Sequence, residues 1–159
     1  MEIIKILIAD DSVQTVDMMK KQISLIEGVE IVATAYDGQD EVDKIREFRP
    51  DLVFTDNQMP KLNGIDVIEL IKNSEDKIKT EFVIITGDRD SELIKRANDL
   101  NVIRLLNKPV EYRVIEDIIE EFKSFKDRKQ EDEIKIEEKI KNKDSFIKAF
   151  IKKLKGKKD

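Results

Sequence analysis

The sequence predicts an α/β fold of the doubly wound class, a five-stranded parallel sheet with helices on both faces, followed by a helical C-terminal extension. Five short β-branched runs recur with almost no polar alternation, which is what strands buried on both faces require. Segments with apolar residues at helical spacing separate them, so strand and helix alternate five times. After Phe125 the composition shifts to Lys and Glu with isolated apolar residues, which marks the extension.

Residues 3–9 (IIKILIA) form the first run, which stops at Asp10 and Asp11. Val16, Met19, Ile23 and Ile26 then fall on one helical face. Residues 29–35 (VEIVATA) predict the second strand, and 39–48 a thinner helix whose apolar residues are Val42 and Ile45. Residues 51–56 (DLVFTD) predict a third strand that ends in a lone carboxylate, Asp56. Ile65, Val67, Ile68 and Ile71 mark the next helix, 81–86 (EFVIIT) the fourth strand, and 91–100 another thin helix. Residues 102–106 (VIRLL) predict the fifth strand, with Lys108 and Pro109 just beyond it. Val114, Ile115, Ile118, Ile119 and Phe122 give the last helix of the body its stripe.

Composition narrows the chemistry. The 159 residues are 40% apolar and 41% charged, a globular balance with a heavily charged surface. With no cysteine and no histidine, thiolate and imidazole chemistry are excluded, and a metal site must be built from oxygen ligands. Such ligands favour Mg²⁺, Mn²⁺ or Ca²⁺. Residues 1–122 carry 16 Lys and Arg against 27 Asp and Glu, a net of −11; residues 123–159 carry 14 against 8, a net of +6, which together give −5. The opening MEIIKILIADD is too short and wrongly flanked for a signal peptide, and no apolar stretch is long enough to span a bilayer, so a cytoplasmic location is expected.

In a doubly wound sheet the working end lies at the carboxyl edges of the strands, beside the point where strand order reverses. The residues at those edges are Asp10, Asp11, Asp56, Thr86 and Lys108. Taken singly, each has a structural reading: Asp10, Asp11 and Ser12 as helix caps, Asp56 as a turn residue, Lys108 as a surface lysine. Together, three converging carboxylates call for a cation, and a lysine and a hydroxyl on neighbouring strands could hold phosphate oxygens. These are the parts of a phosphoryl-transfer site with an aspartate as nucleophile.

At these residues the sequence resembles the response-regulator receiver family of two-component signalling. The likeness rests on ADD at 9–11, DNQMPKLNG at 56–64, TG at 86–87 and NKP at 107–109, each at a strand end and all in order. It implies a flavodoxin-like sheet of order 2-1-3-4-5, a receiver domain over residues 1–125 and a charged, basic helical tail over 126–159. By the same resemblance Asp56 accepts a phosphoryl group from a sensor histidine kinase or phosphotransfer protein, with Mg²⁺ (or Mn²⁺) held by Asp10, Asp11, Asp56 and the backbone carbonyl of Gln58. Thr86 and Lys108 bind and report the acyl phosphate, Gly87 leaves room for it, and a cis peptide precedes Pro109. The chain departs from the family pattern at Leu105, where an aromatic switch residue is common, and Gln58 and Asp88 stand where side chains influence phosphoryl lifetime. The expected function is a phosphoacceptor signalling protein without turnover of its own.

Two other classes compete. A metal-dependent phosphatase would use Asp56 as covalent nucleophile, but the aspartate that would serve as general acid two residues on is Gln58 here. An interaction module with a vestigial pocket would work mainly through the tail. Residues 126–159 are too few for a winged-helix or helix-turn-helix output domain. Within them Ile136, Ile140, Ile147, Phe150 and Leu154 follow a four-three pattern interrupted by Lys143, and Asp144-Ser145 offers a break with a new N-cap. The tail therefore reads equally as a solvated extension and as a docking or self-association helix. A membrane-surface role ranks behind both, and nucleic acid last, because no aromatic stacking residues interleave with the lysines.

Overall fold

The computed structural model describes residues 2–156; Met1 and the last three residues of the predicted tail lie outside the described residues. Two compact units are present, Met1–Asp117 and Ile118–Asp159.

The first unit holds a five-stranded sheet in the order β2-β1-β3-β4-β5, with every pairing parallel. β1 is Ile4–Ala9, β2 Val29–Ala35, β3 Leu52–Thr55, β4 Glu81–Thr86 and β5 Arg104–Asn107. The helices α1 (Val13–Ile23), α2 (Gly38–Phe48), α3 (Gly64–Lys72) and α4 (Ser91–Asp99) connect them, and α5 runs over Tyr112–Lys155. The expected strand order and the alternation of elements are both present. β2 and β4 match their predicted spans, whereas β5 starts two residues later and ends one residue later than the apolar run VIRLL suggested. Its register explains the offset: Val83 to Thr86 of β4 pair with Arg104 to Asn107, so ladder geometry and not apolarity sets the strand's limits.

Leu7, Ala9, Val53, Phe82 and Ile84 pack on one face against Val42 and Ile45 of α2, Ile65 and Ile68 of α3, and Leu93 and Ala97 of α4. By alternation Ile6 and Ile8 face the other side, where α1 buries Val16, Met19 and Ile23. Leu105 joins the first cluster from the sheet edge, half-buried. The two thin helices owe their starts to side-chain caps as well as to their stripes: Asp37 accepts from the Asp40 N–H (2.8 Å) and Asp90 from the Leu93 N–H (2.7 Å).

In the second unit the chain is helical through Lys155. The break that Asp144-Ser145 offered does not occur, because no proline or glycine interrupts residues 118–155 and the neighbouring Lys, Phe, Ile and Ala carry the helix through. Phe146 and Phe150 stack at 6.5 Å on that surface, and Ile136, Ile140, Ile147, Phe150 and Leu154 are all exposed. No helix among the described residues is long and apolar enough to cross a membrane.

Candidate functional site

β1 and β3 are neighbours, with Ala9 opposite Thr55, so the residues that follow them, Asp10 and Asp56, emerge side by side at the carboxyl edge. Backbone bonds fix both: the Asp10 N–H donates to the Ala35 carbonyl (3.1 Å) and the Asp56 N–H to the Ala9 carbonyl (2.9 Å). Both side chains are buried, while Asp11 is exposed. One carboxylate oxygen from each of the three lies within 4.8 Å of the others. Ser12, not either aspartate, caps α1 by accepting from the Thr15 N–H, which leaves Asp11 to the cluster. Of the three residues read as possible caps, Ser12 takes that part, while Asp10 Oδ1 accepts from the Ser12 N–H at 2.8 Å.

Lys108 reaches the cluster from beyond β5. Its Nζ donates to Asp10 Oδ2 at 2.6 Å and to Asp56 Oδ2 at 2.9 Å. Burial by itself would lower its pKa, but the hydrogen bonds and charges of Asp10 and Asp56 outweigh that, and the ammonium is held above the usual lysine value. The Lys108 N–H also donates to the Thr86 carbonyl (2.9 Å), which ties the lysine's backbone to the end of β4. The Lys108–Pro109 peptide is cis, as the resemblance implied.

Thr86 closes β4 and is fully buried; its hydroxyl accepts from the Asp88 N–H at 3.4 Å. Among the described residues it makes no hydrogen bond to the three carboxylates, so the structure brings Asp10, Asp11, Asp56 and Lys108 together and leaves Thr86 alongside. Gly87 faces open space, since a Cβ there would meet no atom within 4 Å. The Gln58 N–H donates to Asp56 Oδ1 (3.1 Å), and its side-chain amide meets Asp88 Oδ2 at 3.4 Å across the pocket mouth.

The donor set fits a hard divalent cation. Three carboxylates with a single lysine leave the cluster with excess negative charge, and only oxygen ligands are present. Beside Lys108 and Pro109 an apolar cavity of about 370 Å³ opens against α1, lined by Met18, Met19, Ile85 and Ile115. Met18, which lines it, and Val13 at the start of α1 are both more than half exposed.

One buried acid escaped the sequence reading. Glu41 on α2 is 0% exposed and receives a hydrogen bond from Thr55 Oγ1 at 3.0 Å. Burial pushes its carboxyl up to about 8, with the Thr55 hydrogen bond opposing the rise. Its helical spacing from Gly38 and Ile45, both buried on α2, was the available signal.

A family model described as response regulator receiver domain matches residues 6–120. The chain is 33% identical over 106 residues to protein-glutamate methylesterase/protein-glutamine glutaminase 5 of Myxococcus xanthus, covering 67% of this chain and 30% of that protein. Across several curated relatives this chain spans between 30% and 54% of their length. Among solved structures, a CheX–CheY–BeF₃–Mg complex from Borrelia burgdorferi aligns with TM-score 0.66 and 27% identity over 75% of this chain and 89% of that one. The N-terminal domain of an uncharacterized protein from Wolinella succinogenes aligns with TM-score 0.71 and 28% identity, over 79% and 98% respectively.

Proposed function

We propose a function from one premise: this chain belongs to the response-regulator receiver domain family. Asp56 is the phosphoacceptor, and the protein signals by accepting a phosphoryl group from a phosphohistidine on a sensor kinase or phosphotransfer protein. One observation carries the reading. Asp56 sits with Asp10 and Asp11 in a cluster whose only cation among the described residues is a lysine bonded to both buried members.

Asp10, Asp11 and Asp56, with the carbonyl of Gln58, would hold Mg²⁺, and Mn²⁺ would fit the same hard ligands. The metal would supply charge neutralisation at the transferring phosphoryl group. Asp56 presents one oxygen to the Gln58 N–H and the other to Lys108, so its attacking group is oriented from two sides. Lys108 can exchange a carboxylate partner for a phosphoryl oxygen without leaving the pocket, which suits it to bind the acyl phosphate. Thr86 would supply a hydroxyl from the neighbouring strand, and the open space at Gly87 supports its reading as room for the phosphoryl group.

The apolar rim of Val13, Met18 and the cavity beside Pro109 would seat the phosphodonor protein next to Asp56. Residues 1–125 act as the receiver, and 126–159 supply an exposed apolar face for docking or self-association. Half-buried Leu105 has no polar tip to exchange with solvent, so output would not use an aromatic switch there. Gln58 stands where a general acid for turnover would act, so the protein is read as an acceptor that works in the cytoplasm and not as an enzyme.

Intact-mass spectrometry after incubation with a small acyl phosphate tests this. One added phosphoryl group is expected, dependent on Mg²⁺ and lost in Asp56→Asn. Uptake persisting unchanged in Asp56→Asn would overturn the assignment.

A further inference from the structure

Glu41 is a buried acid for which phosphoryl transfer has no obvious use. It projects from α2 toward the end of β3, where its Oε2 lies 3.0 Å from Thr55 Oγ1. Its other oxygen, Oε1, is buried with no hydrogen-bond partner among the described residues. The same Thr55 hydroxyl lies 3.2 Å from the backbone carbonyl of Asp56. One hydroxyl carries one proton, yet it stands between two oxygens, each of which needs a donor if Glu41 is a carboxylate. A proton on Glu41 resolves the count, because Glu41 then donates to Thr55 and Thr55 donates to Asp56.

We propose that Glu41 is a positioning residue, built into the fold as a neutral acid, whose O–H bonds Thr55 so that the Thr55 hydroxyl holds the backbone carbonyl of Asp56. The inference rests on the reading of Asp56 as phosphoacceptor and extends it to the element that fixes it.

Three further observations support it. An ionised carboxylate with one hydrogen bond and one orphaned oxygen, fully removed from water, is far costlier than a neutral acid in the same place. Among the described residues no charged group offsets that cost. On the elements packed around α2, Lys5 and Glu30 are exposed, Asp66 and Glu69 pair with Arg96, and Lys72 pairs with Glu81. Burial alone raises the pKa of Glu41, and it does so against the opposing Thr55 hydrogen bond, with no charged group contributing. Finally, the first residue of α3 lies on the same two oxygens. A Cβ on Gly64 would collide with the Asp56 carbonyl and come within 2.9 Å of Thr55 Oγ1. The carbonyl is thus held between the Thr55 hydroxyl and the start of α3, and the loop that carries Asp56 and Gln58 leaves from this point.

Glu41→Gln keeps a donor without a titratable proton, and Glu41→Met fills the space without a donor. Three readouts on the full chain decide between them: the side-chain carboxyl ¹³C shift of Glu41 against pH, Mg²⁺ affinity, and phosphoryl uptake from a small acyl phosphate. The expected results are a protonated Glu41 signal at pH 7 and a glutamine variant close to wild type in Mg²⁺ affinity and uptake. The methionine variant should keep its fold, with a thermal midpoint at or above wild type, yet lose roughly three- to tenfold in both functions, the yield of one positioning hydrogen bond. Uptake by wild type relative to Glu41→Gln should also decline as pH passes about 8. An ionised Glu41 at pH 7, or a methionine variant that matches wild type in both functions, overturns the proposal. If wild type binds Mg²⁺ but forms no adduct, the phosphoacceptor reading fails, and the Mg²⁺ affinities and the Glu41 signal still decide this one.

Discussion

Replacing Glu41 by glutamine should change how the stability of this protein depends on pH. In the folded state the carboxyl is pushed from its ordinary 4.5 up to about 8, chiefly by burial. Between those values the folded protein holds a proton that the unfolded chain has released. Stability therefore falls as pH rises through that window, while below it both states hold the proton and above it neither does. At ~1.4 kcal/mol per pH unit, the full cost by pH 8 is roughly 5 kcal/mol, of which roughly 3 kcal/mol is already present at pH 7. Glutamine keeps the shape and a donor toward Thr55 but has no proton to release. The stability gained by Glu41→Gln over wild type should thus grow by ~1.4 kcal/mol for each pH unit between about 5 and 8 and then level off. Urea denaturation followed by circular dichroism at several pH values and constant ionic strength measures this difference, and every other titrating group cancels in the comparison. A constant offset between the two curves would show that Glu41 folds as an anion and would refute the reasoning.

Two glycines near the pocket should behave oppositely. Gly64→Ala places a Cβ against the Asp56 carbonyl and Thr55, so a loss of roughly 2–4 kcal/mol in chemical denaturation is expected, whereas Gly87→Ala meets no protein atom and should stay within about 0.5 kcal/mol while slowing phosphoryl uptake. Lys108→Gln removes the ammonium that competes for Asp10 and Asp56, so titration calorimetry should find Mg²⁺ bound more tightly, by roughly three- to tenfold at low salt. Weaker binding in that variant would mean that the lysine organises the carboxylates instead of competing for them.

The strands were legible because β-branched runs such as VEIVATA and EFVIIT suit a covered sheet, and their ends coincide with β2 and β4, although only β4 is buried along most of its length while β2, at the sheet edge, fully buries Ala35 alone. β5 was less so: Val102 and Ile103 are apolar because they pack, while the ladder itself recruits Arg104 and Asn107, which apolarity could not announce. The helical tail was legible, but its continuity through Asp144-Ser145 was not, since a residue pair that can cap a helix can also lie inside one.

By itself the sequence determined the order of elements, the oxygen-only ligand set and the placing of Asp10, Asp11, Asp56, Thr86 and Lys108 at strand ends, because spacing and residue type survive in one dimension. Only the tertiary structure decided that the Lys108 ammonium spans Asp10 and Asp56, residues 98 and 52 positions away. It alone decided that Glu41, one charged residue among many on α2, is sealed against Thr55. Contacts of that range depend on which strands pair and which helix face turns inward, and burial, which sets the protonation of an acid, is a property of the packed whole.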